Sequence, residues 1–204
     1  MSLASKVAVV TYLLIAVNIL VFYVQLSDPV YYNHLIENYG LVPVNVMEGR
    51  DLFTLVTSLF LHANLLHLGL NMLFLLITGD GCERAMGSSR FLVFYLVCGV
   101  FSGLFNVYMN QTSSVPTIGA SGAIFGVITA FAILFPFRWL IMLFGLIPVP
   151  LPAIIVAFLM VLIETAYVAS GEVPNVAHTA HIGGFLAGVF LILLFGPRKR
   201  EIEK

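Results

Sequence analysis

The chain has 204 residues, 60% of them hydrophobic and only 9% charged, with a mean hydropathy of +1.05. A soluble domain carries about 25% charged residues, so this composition points to a lipid environment. The formal net charge of −1 offers no basic surface for nucleic acid, and Cys82 and Cys98 are isolated thiols with no reason to pair.

Lipid cannot satisfy free backbone groups, which leaves helices or a closed barrel. The apolar stretches are long and continuous instead of short and alternating, and that excludes the barrel. A single all-α membrane domain over residues 1–204 is therefore predicted, a helical bundle with six spans at about 7–26, 55–79, 91–110, 121–135, 153–169 and 177–195. The first stretch lacks a small-residue cleavage site and reads as a retained span. A loop of mixed character, 27–54, follows it. Between the fourth and fifth spans, "WLIMLFGLIPVPLP" is apolar but broken by Pro148, Pro150 and Pro152, so it reads as an interfacial connector and not a helix. With the N-terminus inside, Lys6, Arg84, Arg90, Arg138, Arg198, Lys199, Arg200 and Lys204 fall on the cytoplasmic side and only Arg50 outside. That distribution predicts a multi-pass protein of the cell membrane with both termini cytoplasmic.

The second span contains "LHANLLHLGLNML", with His62, His67 and Asn71. His67 and Asn71 are i and i+4 and share a face. An imidazole or amide can join a backbone N–H in stabilising a developing oxyanion. A metal reading ranks lower, because His62 and His67 are not at the i, i+4 spacing of a helical zinc pair. No metal and no cofactor is expected.

The fourth span is short. From Ser121 to Pro136 there is room for about 22 Å of helix against about 30 Å of hydrocarbon. If its Pro136 end sits at the inner interface, its Ser121 end is submerged below the outer one, where non-helical backbone is tolerated only beside protein or a water-filled cavity. Ser121 alone is weak evidence, since serines at helix starts are usually caps. The sixth span strengthens the case, because "AHTAHIGGFLAGVF" places His181, Gly184 and Gly188 at i, i+3, i+7. The fourth span has its own pair, Gly122 and Gly126, and glycines at this spacing let two backbones approach closely. If the two faces meet, Ser121 and His181 lie at the same end of adjacent helices. Imidazole is then placed to take the serine proton near pH 7. Among the acids only Glu164 lies well within a span; it can face the same cavity, be protonated and structural, or pair with His178. It is left unassigned, and a Ser–His dyad is the simpler reading.

"GASGAIFG" (119–126) resembles the GxSGxxxG motif of the rhomboid family of intramembrane serine proteases. "AHIGGFLAG" resembles that family's AHxxGxxxG segment and "HANLLHLGLN" its histidine–asparagine signature, in the expected order from about residue 53 to 195. The resemblance implies a six-helix core in which Ser121 attacks the peptide bond, His181 is the general base, and Asn71, His67 and the Ser121 backbone stabilise the oxyanion. It implies transmembrane proteins as substrates, the lipid bilayer as setting, and a cavity open to the outside; it says nothing of oligomeric state. Gly119, Gly122, Gly126, Gly184, Gly188, Phe125, His62 and Glu83 carry packing or structural parts. Phe53-Thr54 stands where many members have Trp-Arg, Phe125 where some have tyrosine, and His178 where an aromatic is common. An inactive relative that binds membrane proteins is the alternative, disfavoured because serine and histidine are both present. A channel or transporter ranks last, for want of inverted halves or paired broken helices. The 170–176 loop and the fifth helix are the expected substrate gate.

Overall fold

A computed structural model describes residues 7–144, 147–171 and 177–197. Lys6, the basic residues from 198 onward and most of the expected gate loop lie outside them. The chain is a membrane-embedded helical bundle. Helix α1 (Val9–Gln25) leads into a first loop that is itself structured, with α2 (Pro29–Tyr39) and α3 (Pro43–Met47). Asp28 starts α2: its carboxylate accepts from Val30 N and Tyr31 N, and Pro29 sits at the first helical position where no N–H is needed.

The second span differs from its expected bounds. Residues 54–60 form α4 (Thr54–Thr57) and a 3₁₀ turn, Leu61 is extended, and the long helix starts only at Leu65. Asn64 caps it, its side chain accepting from His67 N at 2.8 Å. From there α5 (Leu65–Phe74), a π segment (Leu75–Gly79) and α6 (Asp80–Met86) run as one helix, Leu65–Met86. The charges that seemed to end the span are neutralised within the helix or buried with partners. Asp80 pairs with Arg84 one turn on, at 2.8 Å. Glu83 is buried and receives Val10 N, Thr11 N, Thr11 Oγ1 and Ser88 Oγ at 2.7–3.0 Å. Two of those donors are first-turn amides of α1, so a carboxylate on one helix satisfies the orphaned N-terminus of another.

Helix α7 (Ser88–Met109), α8 (Ser121–Leu134), α9 (Ala153–Ser170) and α10 (His178–Phe195) complete the bundle. Among the described residues, four helices are long and apolar enough to cross a membrane: Leu65–Met86, α7, α9 and α10; α1 and α8 are shorter apolar helices. Every residue of α8 from Gly122 to Ala132 is buried, which makes it the central helix of the bundle. The proline-broken connector is a hairpin, β1 (Trp139–Phe144) against β2 (Ile147–Pro152), in register Trp139↔Pro152, Ile141↔Pro150 and Leu143↔Pro148. Prolines at alternate positions all lose the N–H on the same edge of β2 and leave the inner edge, Ile147, Val149 and Leu151, able to pair. Alternation that forbids a helix is thus compatible with an edge strand.

Candidate active site

Small residues set the distance between α8 and α10. A methyl on Gly184 would overlap the Gly122 carbonyl oxygen, and one on Gly188 would lie 2.6 Å from Gly126 O. On the other side, a methyl on Gly126 would meet Cys98 Sγ at 2.5 Å and one on Gly122 would overlap Ser102, both on α7. Helices α8 and α10 therefore touch backbone to backbone, while α7 seats the small side chains of Cys98 and Ser102 on the glycines of α8. Ser102 Oγ donates to Ala180 O at 2.6 Å and holds the start of α10 against α7.

At one end of this contact, Ser121 Oγ and His181 Nε2 are 2.8 Å apart. Ser121 is the first residue of α8, so its N–H has no acceptor within the helix. Phe125, one turn on, lies flat under the His181 ring, centroids 4.4 Å apart and planes at 7°. The segment entering Ser121 is pinned from three sides. Leu41 and Thr117 exchange backbone hydrogen bonds at 2.8 and 2.9 Å, Gly119 N donates to Ser58 O at 2.9 Å, and Asn106 Nδ2 donates to Thr117 Oγ1 at 3.0 Å. Gly119 has φ +123°, and a methyl on it would be 2.8 Å from His67 Nε2 and 3.7 Å from Ser121 Oγ. His67 and Ser121 thus border one small space, kept open by the missing side chain.

Asn71 follows His67 on the same face of α5; it is buried, and its Nδ2 has no hydrogen-bond partner among the described residues. His62 is fully buried edge-on to His67, ring centroids 5.1 Å apart. Its backbone exchanges hydrogen bonds with the Gln25 side chain at 3.1 and 3.3 Å, tying α1 to this end of the bundle. Glu83 is at the opposite end, under α1, and takes no part in the site.

Glu164, left open by sequence, is drawn in from α9. Its Oε2 lies 2.6 Å from His178 Nδ1 and 3.0 Å from His181 Nδ1. The second contact is close but off-line for a hydrogen bond, and His181 Nδ1 has no other partner among the described residues. His178 stacks on Tyr167 at 4.7 Å. The three ligand atoms of Glu164, His178 and His181 fall within 4.8 Å of one another, the one such grouping among the described residues. Ligands around a tetrahedral zinc stand about 3.3 Å apart; separations of 2.6 and 3.0 Å suit direct proton sharing better.

A polar network goes beyond the motifs. Thr179 Oγ1 donates to Asn106 Oδ1 at 2.6 Å, and Asn110 Nδ2 donates to Thr179 Oγ1 at 3.1 Å. Cys98, Ser102, Asn106 and Asn110 recur every four residues, a small or polar stripe on an otherwise apolar helix. That periodicity was the available signal.

Residues 49–198 match the Rhomboid domain family. The chain belongs to the rhomboid family. It is 30% identical over 182 residues to Rhomboid protein 1, mitochondrial, of Saccharomyces cerevisiae, an overlap of 87% of this chain and 51% of that one. It is 28% identical over 192 residues to Rhomboid protease GluP of Bacillus subtilis, covering 93% of this chain and 35% of the relative. A third relative, Inactive RHOMBOID-like protein 8 of Arabidopsis thaliana, is 30% identical over 165 residues, 80% of this chain and 44% of the other. The chain spans about half or less of the length of these relatives, and rhomboids of this set carry both protease and inactive names.

Proposed function

We propose that the chain is an intramembrane serine endopeptidase that cleaves peptide bonds in the transmembrane segments of membrane proteins. The observation that carries this reading is the 2.8 Å contact of Ser121 Oγ with His181 Nε2 at the N-terminus of the central helix. Ser121 Oγ attacks the carbonyl carbon while its proton passes to Nε2. The carbonyl electron pair moves onto oxygen, and the imidazolium then returns the proton to the leaving amine as the C–N bond breaks. Water repeats the cycle on the acyl-enzyme.

The oxyanion falls to the free Ser121 N–H, Asn71 Nδ2 and His67. A buried amide donor with nothing to donate to costs about 1–3 kcal/mol, an expense that makes sense where an oxyanion forms. Short α8, about 21 Å of helix, leaves its serine end below the lipid surface. Substrate helices must unwind locally to present a carbonyl there, since an intact helix hides its own. The basic ends of the described helices, with Arg84, Arg90 and Arg138, face the cytoplasm of a cell membrane in this reading, and the site opens to the opposite side.

Purified protein is tested on a single-span substrate in liposomes. Ser121→Ala and His181→Ala each reduce cleavage to background, and a fluorophosphonate labels wild type at Ser121, losing fluoride, but not Ser121→Ala. Turnover retained by either variant refutes the dyad. A wild type that neither cleaves nor labels belongs with the inactive relatives.

A further inference from the structure

We propose that Glu164 is a positioning residue for His181, making the site a Ser–His–Glu arrangement; this rests on the reading of Ser121 and His181 as nucleophile and base. The argument begins with the tautomer. For Nε2 to accept the Ser121 proton, the neutral ring must carry its own proton on Nδ1. That atom is buried, and an N–H there without an acceptor is costly. Glu164 Oε2, at 3.0 Å, is the acceptor within reach. The contact is off-line at rest. Catalytic hydrogen bonds commonly tighten only when charge develops, and a full positive charge on the ring beside a carboxylate supplies the pull.

The environment of Glu164 fits this part. A carboxylate within a span is expensive and is expected to face a partner or a cavity. Here one oxygen is shared by two imidazoles. His178 holds it at 2.6 Å while stacking on Tyr167, one turn along α9 from Glu164. His178 and His181 are i and i+3 on α10, so one helix presents both rings to the same carboxylate. Phe125 fixes the plane of the His181 ring from below, and Glu164 fixes which edge carries the proton. During acylation the proton of Ser121 Oγ goes to Nε2 and later to the leaving amine. None is transferred to Glu164, which stays an anion beside the imidazolium.

The test uses the full chain in detergent, with ring-¹⁵N histidine. In wild type, the His181 resonances report an Nδ1–H, Nε2-bare tautomer at neutral pH. Glu164→Gln offers an amide that can donate to Nδ1 and favour the wrong tautomer. Its fluorophosphonate labelling rate and its kcat on a transmembrane substrate fall at least about tenfold, with KM within about twofold. A purely structural role moves thermal stability and the active fraction but not the tautomer. A wild-type ring protonated on Nε2, or a Glu164→Gln protein labelled as fast as wild type, overturns the proposal. The wrong tautomer in the wild-type spectrum overturns it even if the variant does not fold. Loss of wild-type labelling after dialysis against EDTA also overturns it and assigns Glu164, His178 and His181 to a metal. Absence of labelling in untreated wild type instead removes the nucleophile itself, a failure of the wider reading and not of Glu164.

Discussion

At Phe125 the ring contributes a flat face under His181 and no polar atom. Stacking holds an imidazole in one plane through packing and quadrupole terms worth about 0.5–1.5 kcal/mol. Phe125→Leu keeps most of the volume, so the fold loses under about 1.5 kcal/mol. It frees the histidine to rotate, and kcat falls about tenfold while the melting temperature shifts by only a few degrees. A variant as fast as wild type shows that the neighbouring helices alone fix the ring.

Among the elements, the contact of α8 with α10 admits the least change. Gly184→Ala drives a methyl into the Gly122 carbonyl, a backbone atom that cannot rotate away. Helix separation must grow, costing at least about 3 kcal/mol and taking His181 out of reach of Ser121. Gly69→Ala is the internal control. Its added methyl meets nothing within 4 Å, and alanine in a helix is favoured by roughly 0.5–1 kcal/mol. Thermal unfolding in one detergent therefore places the two variants on opposite sides of wild type. Equal destabilisation refutes the close-packing argument. Glu83 acts at element scale too, joining the start of α1 to the end of α6 through three hydrogen bonds and the start of α7 through a fourth, far from the serine.

For the whole molecule, the bundle has two unlike ends. One gathers Ser121, His181, His67 and the structured first loop with Arg50; the other gathers Glu83, Arg84, Arg138 and the proline hairpin, where Trp139, Ile141 and Ile147 are exposed. An apolar, exposed hairpin at the basic end suits the lipid–water interface. Cysteines introduced one at a time report the orientation, because native Cys82 and Cys98 are buried. In intact cells an impermeant maleimide modifies Arg50→Cys and spares Arg138→Cys. The reverse pattern places the serine end in the cytoplasm.

What the sequence by itself determined was the solvent and the partners of the backbone. Sixty per cent apolar residues in long runs demand helices in lipid, and glycines at i and i+4 demand that two of those helices touch. Ser121 and His181 are legible for that reason, as their spacing to the glycines is written within one helix each. The late end of the second span was not legible, because Asp80, Glu83 and Arg84 look like a helix stop until Arg84 is seen to pair with Asp80 and the amides of α1 to donate to Glu83. Glu164 was visible as an acid in a span, yet its choice of partner depends on how α9 leans on α10. The order of the chain does not specify that angle; side-chain packing across helices does, and only the tertiary structure puts one carboxylate oxygen between two imidazoles.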